Sequence, residues 1–467
     1  MAPAFRRHWP LLVLLAAGLA LRVLALVAIY PGIWFTDSNG FLRAAATGTL
    51  ETIRVSGYAL FVAPFLHWGS AGGLIIAQHV IGLTIVVLLY ALLRRRGVSG
   101  LLAVVAVVPA ALDAYLVQVE HTIMSETVFH AVLVGAFAVL IWKDHPGLAA
   151  AAASGVLLGY AGVVRSVALP LIAVFLGYLL VRRLGWRHLL LLAAGWALVT
   201  GGYATIYKVQ HGKFGITDSG GRFLYGKVAP YIDCSRLPDL SSRERVLCPP
   251  GGVNQTPTTA MWSAKSPILE LPPGSDGVVR HFALRVLRDQ PLQYAGTAAR
   301  DFLHYFEPGH RIGPNDPSLG PWQFPADPNH WHVPGYHGPI RPADGDPHGP
   351  QPVIDPMVGK PHTNVSASRF LHGYQRWVFL TGPVLAACLL VVLAALVVRR
   401  GTWRLRLDAA FFAAAVLASL LVVVTVSLFS YRYSLTAVLL LPAAAALAWT
   451  ALLQPRPACD HGRDLHG

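Results

Sequence analysis

Residues 10–40 read PLLVLLAAGLALRVLALVAIYPGIWFTDSNG. The run up to Pro31 is apolar for more than 18 residues, enough at about 1.5 Å per residue to cross a hydrocarbon core of about 30 Å. It carries no small-residue cleavage site before Pro31, so it reads as a retained span and not as a cleaved signal peptide. Six residues beyond Pro31 the chain delivers an acid, Asp37, in the stretch Phe35-Thr36-Asp37-Ser38-Asn39-Gly40. An acid placed where a span meets the membrane surface is suited to work on a lipid headgroup.

The same pattern recurs along the chain. Of 467 residues 54% are hydrophobic and 13% charged, about half the charged share of a soluble domain. Apolar runs fall at 10–31, 72–93, 99–116, 124–142, 147–164, 166–181, 188–207, 376–398, 408–429 and 433–453. They predict an all-α polytopic membrane protein of about 10 transmembrane helices, with the sixth the shortest. Arg6, Arg7, Arg94, Arg95, Arg96, Lys143, Arg182, Arg183, Arg187, Arg399, Arg400, Arg404 and Arg406 all fall on one side of that topology. The opposite short loops carry Arg43, Arg54, Arg165 and Arg432. The bias of basic residues toward cytoplasmic loops places both termini in the cytoplasm of a cell inner (plasma) membrane. The formal charge of +14 follows from contact with anionic lipid and calls for no nucleic acid. Arginine far outnumbers lysine, and Ala, Gly and Leu are abundant, as in a GC-rich bacterial chain.

Four segments follow from this reading. Residues 1–207 form an N-terminal membrane domain that includes a long first external loop, 32–71. Residues 208–375 form a mixed external domain inserted between spans 7 and 8, residues 376–453 the last membrane helices, and 454–467 a cytoplasmic tail. Within the first loop, the apolar stretch 56–68 is too short to span and has aromatic ends, which suits the interface. In the insert, 276–306 reads as two helices, with Asp276 suited to capping the first and Pro291 to the first turn of the second. Ala298, Phe302, Tyr305 and Phe306 make an apolar face on that second helix. Fourteen prolines lie in 308–361, a composition that forms no regular core and leaves open whether that loop is ordered. Cys234 and Cys248, fourteen positions apart in an oxidising compartment, predict a disulfide; Cys388 and Cys459 read as free thiols.

Charge at a bilayer is costly and tends to mark function. Asp37 is the first candidate, against the reading that it caps a helix starting near Asn39. Asp113, Glu120, His121, Ser125 and Glu126 cluster in the second loop, where Glu126 also suits a helix N-terminus and His121 an interfacial site. Arg54, Arg165 and Arg432 stand on the external side against the topological bias, and a guanidinium fork matches phosphate oxygens. His330, His332, His337 and His348 have no spacing of a standard metal site. Asn254-Gln255-Thr256 and Asn364-Val365-Ser366 are formal glycosylation sequons.

Taken together these motifs resemble the GT-C fold glycosyltransferases. They are an acid after the first span, Met124-Ser125-Glu126-Thr127 at a span entrance, Arg165 after the fifth span, a large external domain, and Arg432-Tyr433 ahead of a final span with Pro442. Within that group they are similar to the protein O-mannosyltransferase and aminoarabinose-transferase-like enzymes that use polyprenyl-phosphate sugars. Arg54-Val55-Ser56-Gly57-Tyr58 is similar to the group's Arg/Pro-Gly-Tyr pattern. Asp37 lacks a neighbouring acid, Arg165 is followed by Ser166, and the insert does not close the chain. A divalent cation therefore stays open, with no cofactor certain.

The resemblance implies a glycosyltransferase of hexosyl or pentosyl type with a GT-C-like fold. Asp37 would act as catalytic base, and Arg54, Arg165 and Arg432 would bind the donor phosphate. Glu120, His121, Glu126 and Tyr58 would contact acceptor or substrate. The partners would be a polyprenyl-phosphate-linked sugar, a glycan, lipid or protein acceptor, and membrane lipid. Two alternatives stay: a lipid-linked polysaccharide polymerase or ligase, needing no base at Asp37, and a lipid-linked saccharide transporter or flippase, which wants acids deep within spans.

Overall fold

The computed structural model describes residues 3–249, 252, 255–329 and 362–455, with side chains from His8 onward. The histidines 330, 332, 337 and 348, Asn254, Cys459 and most of the tail lie outside the described residues.

The described chain is helical almost throughout. Before the insert come α1 (Pro3–Ala28), α2 (Thr36–Thr47), α3 (Gly57–His67), α4 (Ala71–Arg95), α5 (Gly100–Leu112) and α6 (Ala114–Glu120). They are followed by α7 (Glu126–Ile141), α8 (Leu148–Val164), α9 (Leu171–Val181) and α10 (Trp186–His211). The insert contributes α11 (Gly220–Val228), α12 (Ser242–Arg245), α13 (Pro257–Trp262), α14 (Asp276–Asp289) and α15 (Pro291–His304). After it come α16 (Val365–Gln375), α17 (Gly382–Val398), α18 (Trp403–Val426) and α19 (Leu435–Leu453). The described sheet is one short antiparallel pair, Ile29–Tyr30 against His362–Thr363, which ties the exit of α1 to the entry of α16.

Among the described residues, five helical segments are long and apolar enough to cross a membrane: His8–Ala28, Ala71–Arg95, Trp186–His211, Trp403–Val426 and Tyr431–Leu453. The chain is thus a multi-pass membrane protein. The run at 99–116, expected as one straight span, folds as α5 and α6, bent by 52°. Asp113 explains the break: its Oδ1 accepts the backbone N–H groups of Tyr115 and Leu116, and its Oδ2 accepts that of Leu380. The four other expected spans fall on shorter apolar helices, Glu126–Ile141, Leu148–Val164, Ser166–Val181 and Gly382–Val398. The stretch expected at the interface is α3.

Packing among the spans is closest where side chains are smallest. A Cβ on Gly155 of α8 would sit 2.1 Å from the Leu192 carbonyl of α10, and one on Gly195 would sit 2.6 Å from the Ala152 carbonyl. Only glycine allows backbones that close, as at other membrane helix crossings. The spans share one large core. The insert has its own, built from Tyr225, Val228, Leu247, Phe282 and Val286 and closed by the Cys234–Cys248 disulfide. Asp276, expected to cap its own helix, instead accepts the N–H groups of Gly221 and Arg222 and caps α11. Pro291 does open α15. Of the proline-rich segment, residues up to 329 are described, and its Trp322 and Phe324 are buried against the spans.

Candidate functional site

Asp37 lies in the first turn of α2, 4% exposed. It does not cap that helix. Ser38 takes this duty, its Oγ accepting the Phe35 N–H at 3.0 Å and donating to the Ile123 carbonyl at 2.7 Å. The stretch leading to Asp37 is clamped to the α6–α7 turn: Ile33 N–H donates to the His121 carbonyl and Ile123 N–H to the Ile33 carbonyl. The carboxylate is left for two cations. Arg54 Nη2 stands 2.8 Å from Oδ1, and Arg432 Nη1 stands 3.5 Å from Oδ2.

Each arginine is aimed by its own backbone. Arg54 sits in a loop strapped to the end of α10 and to the start of the insert. Leu50 N–H donates to Gln210 Oε1, Asp218 N–H to the Thr52 carbonyl, and Ser219 Oγ to the Ile53 carbonyl. Trp262 of the insert faces its guanidinium, with the carbon 5.3 Å from the ring centre, and Arg222 stands equally near the same ring. Arg165 follows α8 in extended conformation, at the point where α8 gives way to a 3-10 turn. Arg432 lies in the 3-10 turn Tyr431–Ser434 that leads into α19. Its guanidinium carbon is 4.5 Å from the ring of Trp322 and 5.2 Å from that of Tyr433. Such cation–π contacts contribute about 0.5–2 kcal/mol and hold a planar group in one plane.

Glu126 joins the two remaining guanidiniums. It forms an ion pair with Arg165, and its Oε1 is 3.3 Å from Arg432 Nε. The glutamate is thus no cap; it is a buried carboxylate that orients two cations. Its Oε2 accepts no hydrogen bond from the described residues.

Asp37 and the three arginines border a cavity of about 330 Å³, and Glu126 stands behind Arg165 and Arg432, off its lining. Asp37, Arg54, Arg165 and Arg432 line one part, Val422, Val423 and Val426 of α18 form an apolar wall, and Thr217, Ser219 and Phe223 of the insert form a rim. Three guanidiniums face two carboxylates, so the cluster has one positive charge in excess. A pocket with convergent polar groups and an apolar wall suits a ligand with an anionic head and a hydrocarbon tail.

None of the four expected substrate contacts lines this cavity: Glu126 orients two of its arginines from behind, and the other three lie farther off. Tyr58 is fully buried and donates to Gln78 Oε1 at 2.5 Å, because α3 packs its first turn against the end of α8. Glu120 is held by Arg22 from the middle of α1 through two bonds of 2.7 Å, and its Oε2 also meets His79 Nδ1 at 3.1 Å. His121 continues the chain, with Nδ1 3.1 Å from His79 Nε2 and Nε2 2.8 Å from the Ile29 carbonyl. A carboxylate buried with an arginine needs that partner more than it can serve a ligand. Among the described residues, no group of three His, Cys, Asp or Glu side chains could hold a metal ion. The sequence reading missed Trp262 and Trp322, which carry no charge, and Arg22, whose place inside an apolar run was the available signal.

No family model matches the chain, and no curated protein does. The chain is similar to two crystal structures of ArnT from Cupriavidus metallidurans. The apo structure aligns over 93% of this chain and 77% of that one, at 15% identity and a TM-score of 0.36. The structure bound to undecaprenyl phosphate aligns over the same shares, at 18% identity and a TM-score of 0.34. Scores of that size mark a loose likeness, and the functional reading rests on the geometry of the site.

Proposed function

We propose that the protein is an inverting glycosyltransferase of GT-C type, with about ten spans, that moves a sugar from a polyprenyl-phosphate donor to an acceptor hydroxyl. The reading places the reaction on the external face of the plasma membrane, with residues 208–375 outside and both termini inside, following the basic residues of the short loops. One observation carries it: a carboxylate and three guanidiniums from three distant parts of the chain meet in one cavity with an apolar wall.

A phosphodiester bears one negative charge and matches the one positive charge in excess. Its phosphate would take over contacts that Arg54 and Arg432 now make with Asp37. Released from those ion pairs, the Asp37 carboxylate regains its lone pairs and takes the proton from the acceptor hydroxyl as that oxygen attacks the anomeric carbon. The C–O bond to the donor phosphate breaks on the opposite face, and the polyprenyl phosphate leaves with its electron pair. Arg165 and Arg432, oriented by Glu126, stabilise the charge that gathers there. The valines of α18 accept the first part of the polyprenyl chain, and the rim at Thr217, Ser219 and Phe223 meets the acceptor.

The transporter reading finds its buried acid in Glu120. The cavity beside it is only about 10 Å³, too small for a saccharide.

The test is transfer from a polyprenyl-phosphate hexose or pentose by the purified protein, with the bound lipid identified by mass spectrometry. Asp37→Asn is expected to keep the fold and lose about 10²–10⁴ of the rate, the usual worth of a general base. Transfer by that variant at the parental rate would overturn the reading.

A further inference from the structure

Helix α15 is apolar on two sides: Phe302 packs against the core of the spans, and the outward side is apolar as well. At 3.6 residues per turn, Leu292, Gly296, Ala299 and Leu303 fall within about 60° of one another. All four are exposed, Leu292 by 83% and Leu303 by 62%. The opposite side carries Asp301, buried with its Oδ2 2.6 Å from Lys227 Nζ. Gln293 and Arg300, both exposed, flank one edge of the apolar stripe. A helix covered by water ordinarily turns its charged side outward and its leucines inward.

The position of the helix says what covers it. Tyr294 donates its hydroxyl to the carbonyl of Thr425, in the last turn of the spanning helix α18, at 2.9 Å. On that same end of α18, Leu421, one turn before Thr425 on the same side, is exposed. The stripe therefore continues a surface that faces lipid. Trp377, 85% exposed shortly before α17 begins, and exposed Phe370 on α16 are side chains of the kind found where membrane meets water.

We infer that α15 is an interfacial helix, with its Leu292–Leu303 stripe sunk into the leaflet on the insert side of the bilayer and Arg300 at headgroup level. The occupant of the stripe is lipid. Two features select it: continuity with the lipid-facing end of α18, and a cation at the edge that complements phosphate headgroups. The insert is thereby moored to the bilayer by its own helix, beside the span that supplies the apolar wall of the cavity. The inference stands on placement alone and does not depend on the reaction.

The experiment uses the full chain carrying Cys388→Ser and Cys459→Ser, with the disulfide kept. Leu292→Cys, Leu303→Cys and Gln293→Cys are spin-labelled one at a time in nanodiscs of phosphatidylethanolamine and phosphatidylglycerol. Labels at 292 and 303 are expected to collide more with dissolved oxygen than with a water-soluble nickel chelate, and the label at 293 the reverse. Nickel-dominated collisions at 292 and 303 would overturn the inference by showing a water-facing helix. Protection from both reagents would overturn it by showing a protein cover, such as a second copy. A check without substitutions is photolabelling of the native chain by a carbene-bearing lipid: peptides from 291–304 are expected to be modified, and their absence from the labelled set counts against the inference.

Discussion

Asp37 and Arg432 are 395 positions apart in the chain and 3.5 Å apart in space. The same guanidinium turns its Nε toward Glu126, so one planar group serves two carboxylates that lie on α2 and α7. A lysine ammonium is a point charge and cannot make both contacts from one rotamer. Arg432→Lys is expected to lower transfer from a polyprenyl-phosphate sugar by roughly 10²-fold or more, the loss typical of removing one donor to developing charge. Steady-state rates of the two proteins in the same detergent measure it.

Trp262 touches no expected reacting atom, yet it holds the plane of Arg54. Replacing it with alanine is expected to reduce kcat by roughly two- to thirty-fold, the equivalent of one cation–π contact. Trp262→Phe is expected to recover most of that loss. A null result for Trp262→Ala in side-by-side kinetics would show that the hydrogen-bonded strap alone positions Arg54.

The Arg22–Glu120 pair is buried within the membrane domain, Arg22 to 1% exposure. Glu120→Gln leaves the guanidinium without its counter-charge and is expected to cost about 3–5 kcal/mol. Replacing both partners by apolar residues, Arg22→Met with Glu120→Leu, is expected to restore most of it. Gly82→Ala should act like the single change, because its Cβ would sit 2.0 Å from Glu120 Oε1. Thermal unfolding in a fixed detergent ranks the variants.

His310 packs between Tyr115, Phe379 and Tyr431, and burial lowers its pKa to about 4. In the unfolded chain a histidine titrates near 6.5. Between those values the unfolded state binds the extra proton, so the contribution is fully present above about pH 6.5. It is lost as the pH falls toward about 4, by at most about 3 kcal/mol. His310→Gln is expected to flatten that part of the stability profile, which unfolding at a series of pH values reads directly.

Sequence reasoning reached this site through charge. Asp37, Glu126, Arg54, Arg165 and Arg432 each interrupt or edge an apolar run, and an ionic group there needs a partner. Their convergence then follows from the order of the spans. What hydropathy does not encode is the partner's identity. Glu120 looked as available as Glu126, and only the fold shows that Arg22 reaches one of them and that Arg165 and Arg432 reach the other. Asp37 read equally as a helix cap and as a functional acid, and the bond from the Phe35 N–H to Ser38 Oγ shows that its neighbour does the capping. Helix length was the weaker inference. The run 376–398 is apolar enough to read as a span, but the folded helix there is Gly382–Val398, shorter than the run that suggested it.

The strap joining residues 50–53 to residues 210–219 has a consequence for dissecting the molecule. Cutting the chain at the end of α10 and splicing it to α17 would leave every long hydrophobic helix in place, and the product could still insert. It would nevertheless lack the anchors for the turn that carries Arg54. The smallest working unit therefore includes the polar insert, and a bundle of helices alone would be a scaffold without its tool.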